Sequence, residues 1–456
     1  MIQIDGKKDA SLVTWLIKRP ATPKKVRIFL NQKGEADAVP CVMIAQEVRV
    51  GQKIAEPGGP SGVAVHASVS GKITAIGLFR HPLGGQESAV EIHSDEKATL
   101  MANVGKEREG WDHLPQRQIG FILQDSGVVG MSSMEPVHVK CSRSRAGKIS
   151  TLILNGCESE PYLTCDHALM LSHAVEILKG AEILRKFAGA EKIVIMLEDN
   201  KLEAAELLKS KAYFLKWDHV EVKILKTRYP QGLSPLLIQK TYPREEEDGR
   251  APALVHSVAT AFSVYEAVVM NKPLYERAVT IGGECVVDSY NVWAPIGVSF
   301  GDAFKFCRGL LREPRKVLMN GPMMGAAQED LNASVVPGTK AILALPKEAM
   351  PESEIQPCIR CNQCVDACPV DISPVMITLA AEKDEFEIAA EWGAEQCIEC
   401  GACSYVCPAK RPMLELIQYA SSNRVFPSKK LPVSPHEGRP LLPLHLRKKK
   451  MFAESV

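Results

Sequence analysis

Eight of the fourteen cysteines stand in two copies of one pattern near the C-terminus. The first copy, CIRCNQCVDACPV, carries Cys358, Cys361, Cys364 and Cys368; the second, CIECGACSYVCPA, carries Cys397, Cys400, Cys403 and Cys407. Each reads C-x2-C-x2-C-x3-C-P, the spacing that wraps a [4Fe–4S] cubane. Three thiolates on a tight loop take three irons, and the x3 step with its proline carries the fourth thiolate to the neighbouring cluster. That rule assigns Cys358, Cys361, Cys364 and Cys407 to cluster one, and Cys397, Cys400, Cys403 and Cys368 to cluster two. The copies are offset by 39 residues, an internal repeat that implies a pseudo-two-fold unit. The chemistry is reversible one-electron transfer.

Zinc and disulfides are the other uses of clustered cysteines. Zinc sites pair C-x2-C steps and rarely add a cysteine three residues on before proline. A disulfide framework needs an oxidising compartment, and the N-terminus MIQIDGKKDASLVTW lacks the apolar stretch of a signal peptide. Pro369 and Pro408 have no N–H and end each ligand loop. Ser373-Pro374 predicts an N-cap followed by proline at the first helical position, and Arg411-Pro412 opens the equivalent helix of the second copy. Residues 377–395 between the copies read as a long helical insert, so the unit is a helical two-cluster domain built into a larger chain. Arg360, Lys410 and Arg411 lie near the runs, where positive charge favours the reduced form.

The chain of 456 residues has room for three or four domains. Its hydrophobic content of 46% and charged content of 24% are those of a folded globular protein. A formal net charge of +1 gives no field for nucleic acid, and no apolar run is long enough to span a bilayer. Ligand and unpaired cysteines together imply a reducing cytosol. Two ends are locally basic: Lys7, Lys8, Lys18, Arg19, Lys24, Lys25 and Arg27 at the start, and RPLLPLHLRKKK near the finish. Each reads either as a solvated tail or as an arm for anionic lipid or a membrane partner.

Residues 1–26 are thus an N-terminal basic arm. Residues 27–98 alternate β-branched residues with Gly and Pro and read as short strands. GQKIAE, a glycine turn and VHASVSGKITAI resemble a barrel-sandwich domain of the biotinyl/lipoyl type. The turn Gly58-Gly59-Pro60-Ser61-Gly62 has no lysine to modify, so a structural β-domain is expected. Residues 99–117 form a connector. From 118 to 275 strands and helices alternate: TLILNG (151–156) and KIVIML (192–197) suit buried parallel strands, VEVKILK (220–226) is a third strand, and HALMLSHAVEILKGAEILRKFAG has helical spacing. The pattern is Rossmann-like α/β. Residues 276–345 suggest a β-grasp-like unit whose helix opens at Phe300-Gly301-Asp302. The two-cluster domain runs from 350 to 425, and 426–456 is a basic, proline-rich tail. The fold class is multidomain α/β and α+β.

This order of parts resembles one family, the RnfC component of the Rnf-type (Rsx) electron transport complex. The resemblance covers nearly the whole chain, with local matches at NGCESEPYLTCDHALM (155–170), YPQG (229–232), SVATAFSVYEAV (257–268), NGPMMGAA (320–327) and CPAKRP (407–412). It implies a peripheral subunit on the cytoplasmic face of the cell inner membrane, without a transmembrane segment of its own. Its partners would be other Rnf-type subunits and NADH, ferredoxin or flavodoxin. Electron flow would be coupled to Na+ or H+ translocation. The middle domain is similar to the flavin-binding part of respiratory complex I, which implies FMN and NAD(H) beside Gly127, Gly130, Glu158 and Glu160.

The chain departs from the family at the flavin loop, which reads SGVVGMSSMEPVHVK where the family is glycine-rich. Gly127 and Gly130 remain, but Ser132, Ser133 and Met134 occupy the glycine-rich part, where glycines would let the backbone approach phosphate. Glu135 would repel a phosphate by about 1 kcal/mol or more. The expectation is that FMN and NADH binding is weakened or lost. Glu158 and Glu160 read equally as acids at a helix N-terminus. Cys157 and Cys165 read as small buried residues, and core packing is expected of Cys41, Cys141, Cys285 and Cys307. Met323 and Met324 read as core filling. Two further functions remain. One is a flavin-dependent cobalamin reductase, against which the β-domain at 27–98 argues; the other is a flavin-less iron–sulfur docking adaptor.

Overall fold

A computed structural model describes residues 1–4, 16–31, 37–145, 149–242, 253–349 and 354–423. The tail expected at 426–456 lies outside the described residues. Among the described residues no helix is long and apolar enough to cross a membrane.

The first unit holds β1 (Lys25–Phe29), β2 (Val39–Pro40), β3 (Glu47–Val48), β4 (Lys53–Glu56), β5 (Val65–His66), β6 (Gly71–Arg80) and β7 (Gln86–Ser94). They form two sheets, ordered β1-β7-β6-β3 and β2-β4-β5. In β1, Val26 and Ile28 turn inward while Lys25 and Arg27 face out or halfway out, the period of a pleated strand. The turn a carrier domain would expose is tied down here. Gln124 donates through Nε2 to the carbonyls of Gly59, Pro60 and Gly62, and His138 Nε2 lies 3.0 Å from the Pro60 carbonyl.

The α/β unit runs α1 (Gln116–Asp125), α2 (Val137–Arg145), β8 (Thr151–Asn155), α3 (Cys165–Ser172), α4 (Ala174–Ala188), β9 (Lys192–Glu198), α5 (Leu202–Phe214), β10 (Val220–Leu225), α6 (Ser234–Thr241), β11 (Ala253–Ser257) and α7 (Val258–Val268). Its strands are parallel in the order β10-β9-β8-β11. Central strands buried on both faces need continuous apolar runs, which β8 and β9 supply. Leu152, Leu154, Ile193 and Ile195 pack with Ile177 and Leu184 of α4 and with Val264 of α7; Ile153, Val194 and Met196 face Leu237 of α6. Two details depart from the expected pattern. The long helix breaks at His173 (φ −135°) into α3 and α4, and β11 adds a strand beyond the three expected.

The third unit holds β12 (Glu276–Gly282), β13 (Tyr290–Pro295), α8 (Phe300–Phe306), β14 (Lys316–Met319), β15 (Ala326–Gln328) and β16 (Ala341–Leu345). The sheet order is β13-β12-β16-β14-β15, with β12 and β16 parallel at its centre. The α8 start falls where expected, and the Ser299 hydroxyl accepts from the Asp302 N–H to cap it. This unit and the first share one core, in which Val26 and Ile28 meet Val298, Phe300 and Phe304.

The basic arm, where described, lies along the body of the protein with several of its residues anchored. Ile2 pairs with Tyr229 through two backbone hydrogen bonds, Ile17 is buried, Arg19 forms a bidentate pair with Glu276, and the Lys18 ammonium sits over the Tyr290 ring. The last unit is helical: α9 (Gln363–Ala367), α10 (Pro374–Ala381), α11 (Phe386–Glu391), α12 (Ala402–Val406) and α13 (Met413–Asn423). It has its own small core around Ile377, Ala389, Met413 and Ile417. Ser373 stands at the N-cap of α10 with Pro374 next, but at ψ 87° its hydroxyl makes no cap bond.

Candidate metal centre

The repeat in the sequence is a repeat in the backbone. Arg360 and Glu399, Asn362 and Gly401, and Asp371 and Lys410 are equivalent pairs, and all six are left-handed, with φ of 53°, 53°, 61°, 69°, 56° and 52°. Such residues curl the loop back on itself. The Arg360 N–H thereby reaches Cys358 Sγ and the Glu399 N–H reaches Cys397 Sγ, each at 3.4 Å.

The eight cysteines gather in two crossed sets. One cavity is lined by Cys358, Cys361, Cys364 and Cys407; the other by Cys368, Cys397, Cys400 and Cys403. Their empty volumes are about 350 and 320 Å³, openings onto solvent included. The fourth cysteine of each run therefore stands with the other run's three. Among the described residues no group of His, Cys, Asp or Glu is arranged round a single ion. A cubane makes a different demand, four thiolates spread over four iron corners, and the donor set fits it. Burial pushes Cys397 up to about 11 and Cys403 up to about 12. Thiols so placed become thiolates only where a metal replaces the proton.

The two sets have different surroundings. Around the first, Cys361 is exposed and Ile359 is 66% exposed. Arg411 lines this cavity, but its guanidinium is paired with Glu382. The second set leans on the α/β unit. The Tyr229 hydroxyl donates to the Cys400 carbonyl at 2.6 Å, and Tyr229, Cys400 and Ala402 form an apolar contact with Ile2, Leu233, Met323 and Ile398 around them. A Cβ on Gly401 would lie 3.0 Å from the Met323 carbonyl, and with φ of 69° the position favours glycine.

The loop from Gly127 to Val137 does not fit a phosphate. Five of its N–H groups are turned into the protein: Val128 donates to Leu123 O, Gly130 to Glu135 O, Met131 to Thr260 Oγ1, Met134 to Gly130 O and Val137 to Val128 O. A Cβ on Gly127 would meet the Ala64 carbonyl at 2.6 Å, so this glycine serves contact with the β-domain. One on Gly130 would meet Ser133 Oγ at 2.4 Å, and Glu135 is paired with Arg143. Those five N–H groups are therefore not directed at an FMN phosphate.

The two acids are also occupied. Glu158, buried, accepts from the Asp166 and His167 N–H groups and so caps α3. Glu160, 8% exposed, accepts from the Met324 N–H at 2.9 Å and the Met323 N–H at 3.1 Å. Cys157, Cys165, Cys141, Cys285 and Cys307 are buried, as expected of packing residues; Cys41 is exposed on the β-domain, because its strand pair lies at a sheet edge. Cys141 Sγ lies 3.6 Å from His256 Nε2 inside the core. Sequence reasoning assigns no role to Tyr229. Its one signal is YPQG, a motif without chemistry of its own.

Comparison with known proteins gives three family matches: the RnfC barrel sandwich hybrid domain over residues 2–97, the Nuo51 FMN-binding domain over 123–269 and the 4Fe-4S dicluster domain over 350–408. The chain is 36% identical to the C component of the proton-translocating ferredoxin:NAD(+) oxidoreductase complex of Clostridium ljungdahlii, covering 88% of each chain. It is 35% identical to the Na(+)-translocating counterpart of Acetobacterium woodii, over 87% of this chain and 90% of that one. To the C component of the ion-translocating oxidoreductase complex of Rhodobacter capsulatus it is 34% identical, over 87% and 78%.

Proposed function

The chain belongs to the RnfC family of ion-translocating oxidoreductase components, and on that premise we propose that it is the peripheral electron-transfer subunit of such a complex. It passes electrons between a soluble partner and membrane subunits that move Na+ or H+, and it works as part of an oxidoreductase assembly. Bound [4Fe–4S] clusters supply reversible one-electron transfer. Cys358, Cys361, Cys364 and Cys407 hold one; Cys397, Cys400, Cys403 and Cys368 hold the other. The observation that carries this reading is the gathering of the eight thiols in those two crossed sets.

We take the domain limits as read from the chain's composition and motifs, and the 276–345 unit as β-grasp-like. Its sheet order and the helix after the second strand support that description. The complex partners are the other Rnf-type subunits, met at the cytoplasmic face of the membrane.

We assign Gly127, Gly130, Glu158 and Glu160 to structural tasks in this chain, in place of binding FMN or NADH. A hydride donor needs a two-electron acceptor such as flavin, whereas each cluster takes one electron. The inward-turned N–H groups at 127–137 and the loss of the loop's glycines favour the flavin-less adaptor form of the reading, with ferredoxin or flavodoxin as the soluble partner. Two measurements test it. Protein refolded with FMN should retain no stoichiometric flavin; tight one-to-one FMN contradicts the adaptor form. Anaerobically reconstituted protein should be bleached by reduced ferredoxin and not by NADH alone; bleaching by NADH alone restores a flavin or nucleotide site.

A further inference from the structure

We propose that Tyr229 and Glu160 are positioning residues that set the potential of the second centre from the α/β unit, with opposite signs. The proposal rests on reading Cys368, Cys397, Cys400 and Cys403 as a cluster site.

Tyr229 is 1% exposed, and its main chain is clamped by Ile2. Its hydroxyl donates to the carbonyl of Cys400, a ligand of that site, at 2.6 Å. A donor dipole whose positive end points at the ligand loop stabilises the more negative, reduced form and raises the potential.

Glu160 acts from behind the same loop. Its carboxylate holds the N–H groups of Met323 and Met324, and the Met323 carbonyl rests on Gly401, the residue after Cys400. A carboxylate in this buried contact opposes the reduced form, because a negative charge there is poorly screened. The first centre is built otherwise, with Cys361 open to solvent.

The test is potentiometric titration of the anaerobically reconstituted full chain, followed by electron paramagnetic resonance. Two reduction waves are expected. Tyr229→Phe should move one wave down, Glu160→Gln should move that wave up, and the other wave should stay. Each change should alter the reduced-to-oxidised ratio at fixed potential by about three- to tenfold, the upper figure being about 59 mV for one electron. The proposal is overturned if neither variant moves a wave, if both waves move together, if the two variants shift in one direction, or if either variant loses the second signal. Wild-type protein that holds far fewer than about eight irons contradicts the cluster reading instead.

Discussion

The two cysteine runs have the same ligand spacing and the same left-handed turns, yet one opens on solvent and the other is pressed against the α/β unit. Cys361 is exposed where its equivalent, Cys400, is buried. Asn362 stands where the second run has Gly401, against whose turn the Met323 carbonyl rests. Equal ligands in unequal surroundings are how one scaffold gives two centres different potentials and different neighbours. On the reading proposed above, the first centre is the one a partner would reach, and the second the one the body of the protein would tune.

The largest test of this comparison concerns the crossing itself. Cys407→Ser should behave like Cys358→Ser, and Cys368→Ser like Cys397→Ser, each pair losing one of two signals and lowering iron from about eight to about four per chain. If Cys407→Ser instead matches Cys397→Ser, the sets are not crossed and the comparison fails.

A second test exchanges the residues that mark the difference. Gly401→Asn should cost about 1–3 kcal/mol through collision with the Met323 carbonyl, while Asn362→Gly should change stability by about 1 kcal/mol or less. Denaturant midpoints of the reconstituted protein measure both. Equal costs would mean that the inward run is not buttressed.

Air should then separate the centres by rate. With Cys361 exposed and Cys358 half-buried, iron should leave the first centre before the second, read as the order in which the two signals decay. The smallest effect is electrostatic. Glu382, 40% exposed at its side chain, neutralises Arg411 beside the first cavity. Glu382→Gln should raise the first wave slightly and leave the second, the mirror of Glu160→Gln, with the shift reduced by added salt.

What could be read from the sequence followed the range of the interactions involved. Cluster ligands lie within eleven residues of one another in each run, and the crossing rule needs only the second run to be present. Strands β8 and β9 announce themselves by apolar runs, and β10 by its β-branched alternation. Strand β11, five residues leading directly into α7, offers too short a pattern to separate from the helix after it. The tasks of the acids were hidden for another reason: Glu160 meets Met323 across 163 positions, and Arg19 meets Glu276 across 257. No local pattern encodes such partners. The resemblance located Glu158, Glu160 and YPQG, but the geometry gives them caps and buttresses, and the same holds for Gly127 against Ala64.

The most direct measurement is metal and redox stoichiometry of the full chain reconstituted without oxygen. About eight irons per chain, matching sulfide and two separate one-electron waves are expected from two four-iron centres. Zinc in place of iron, or about four irons with a single wave, would contradict the two-centre wire.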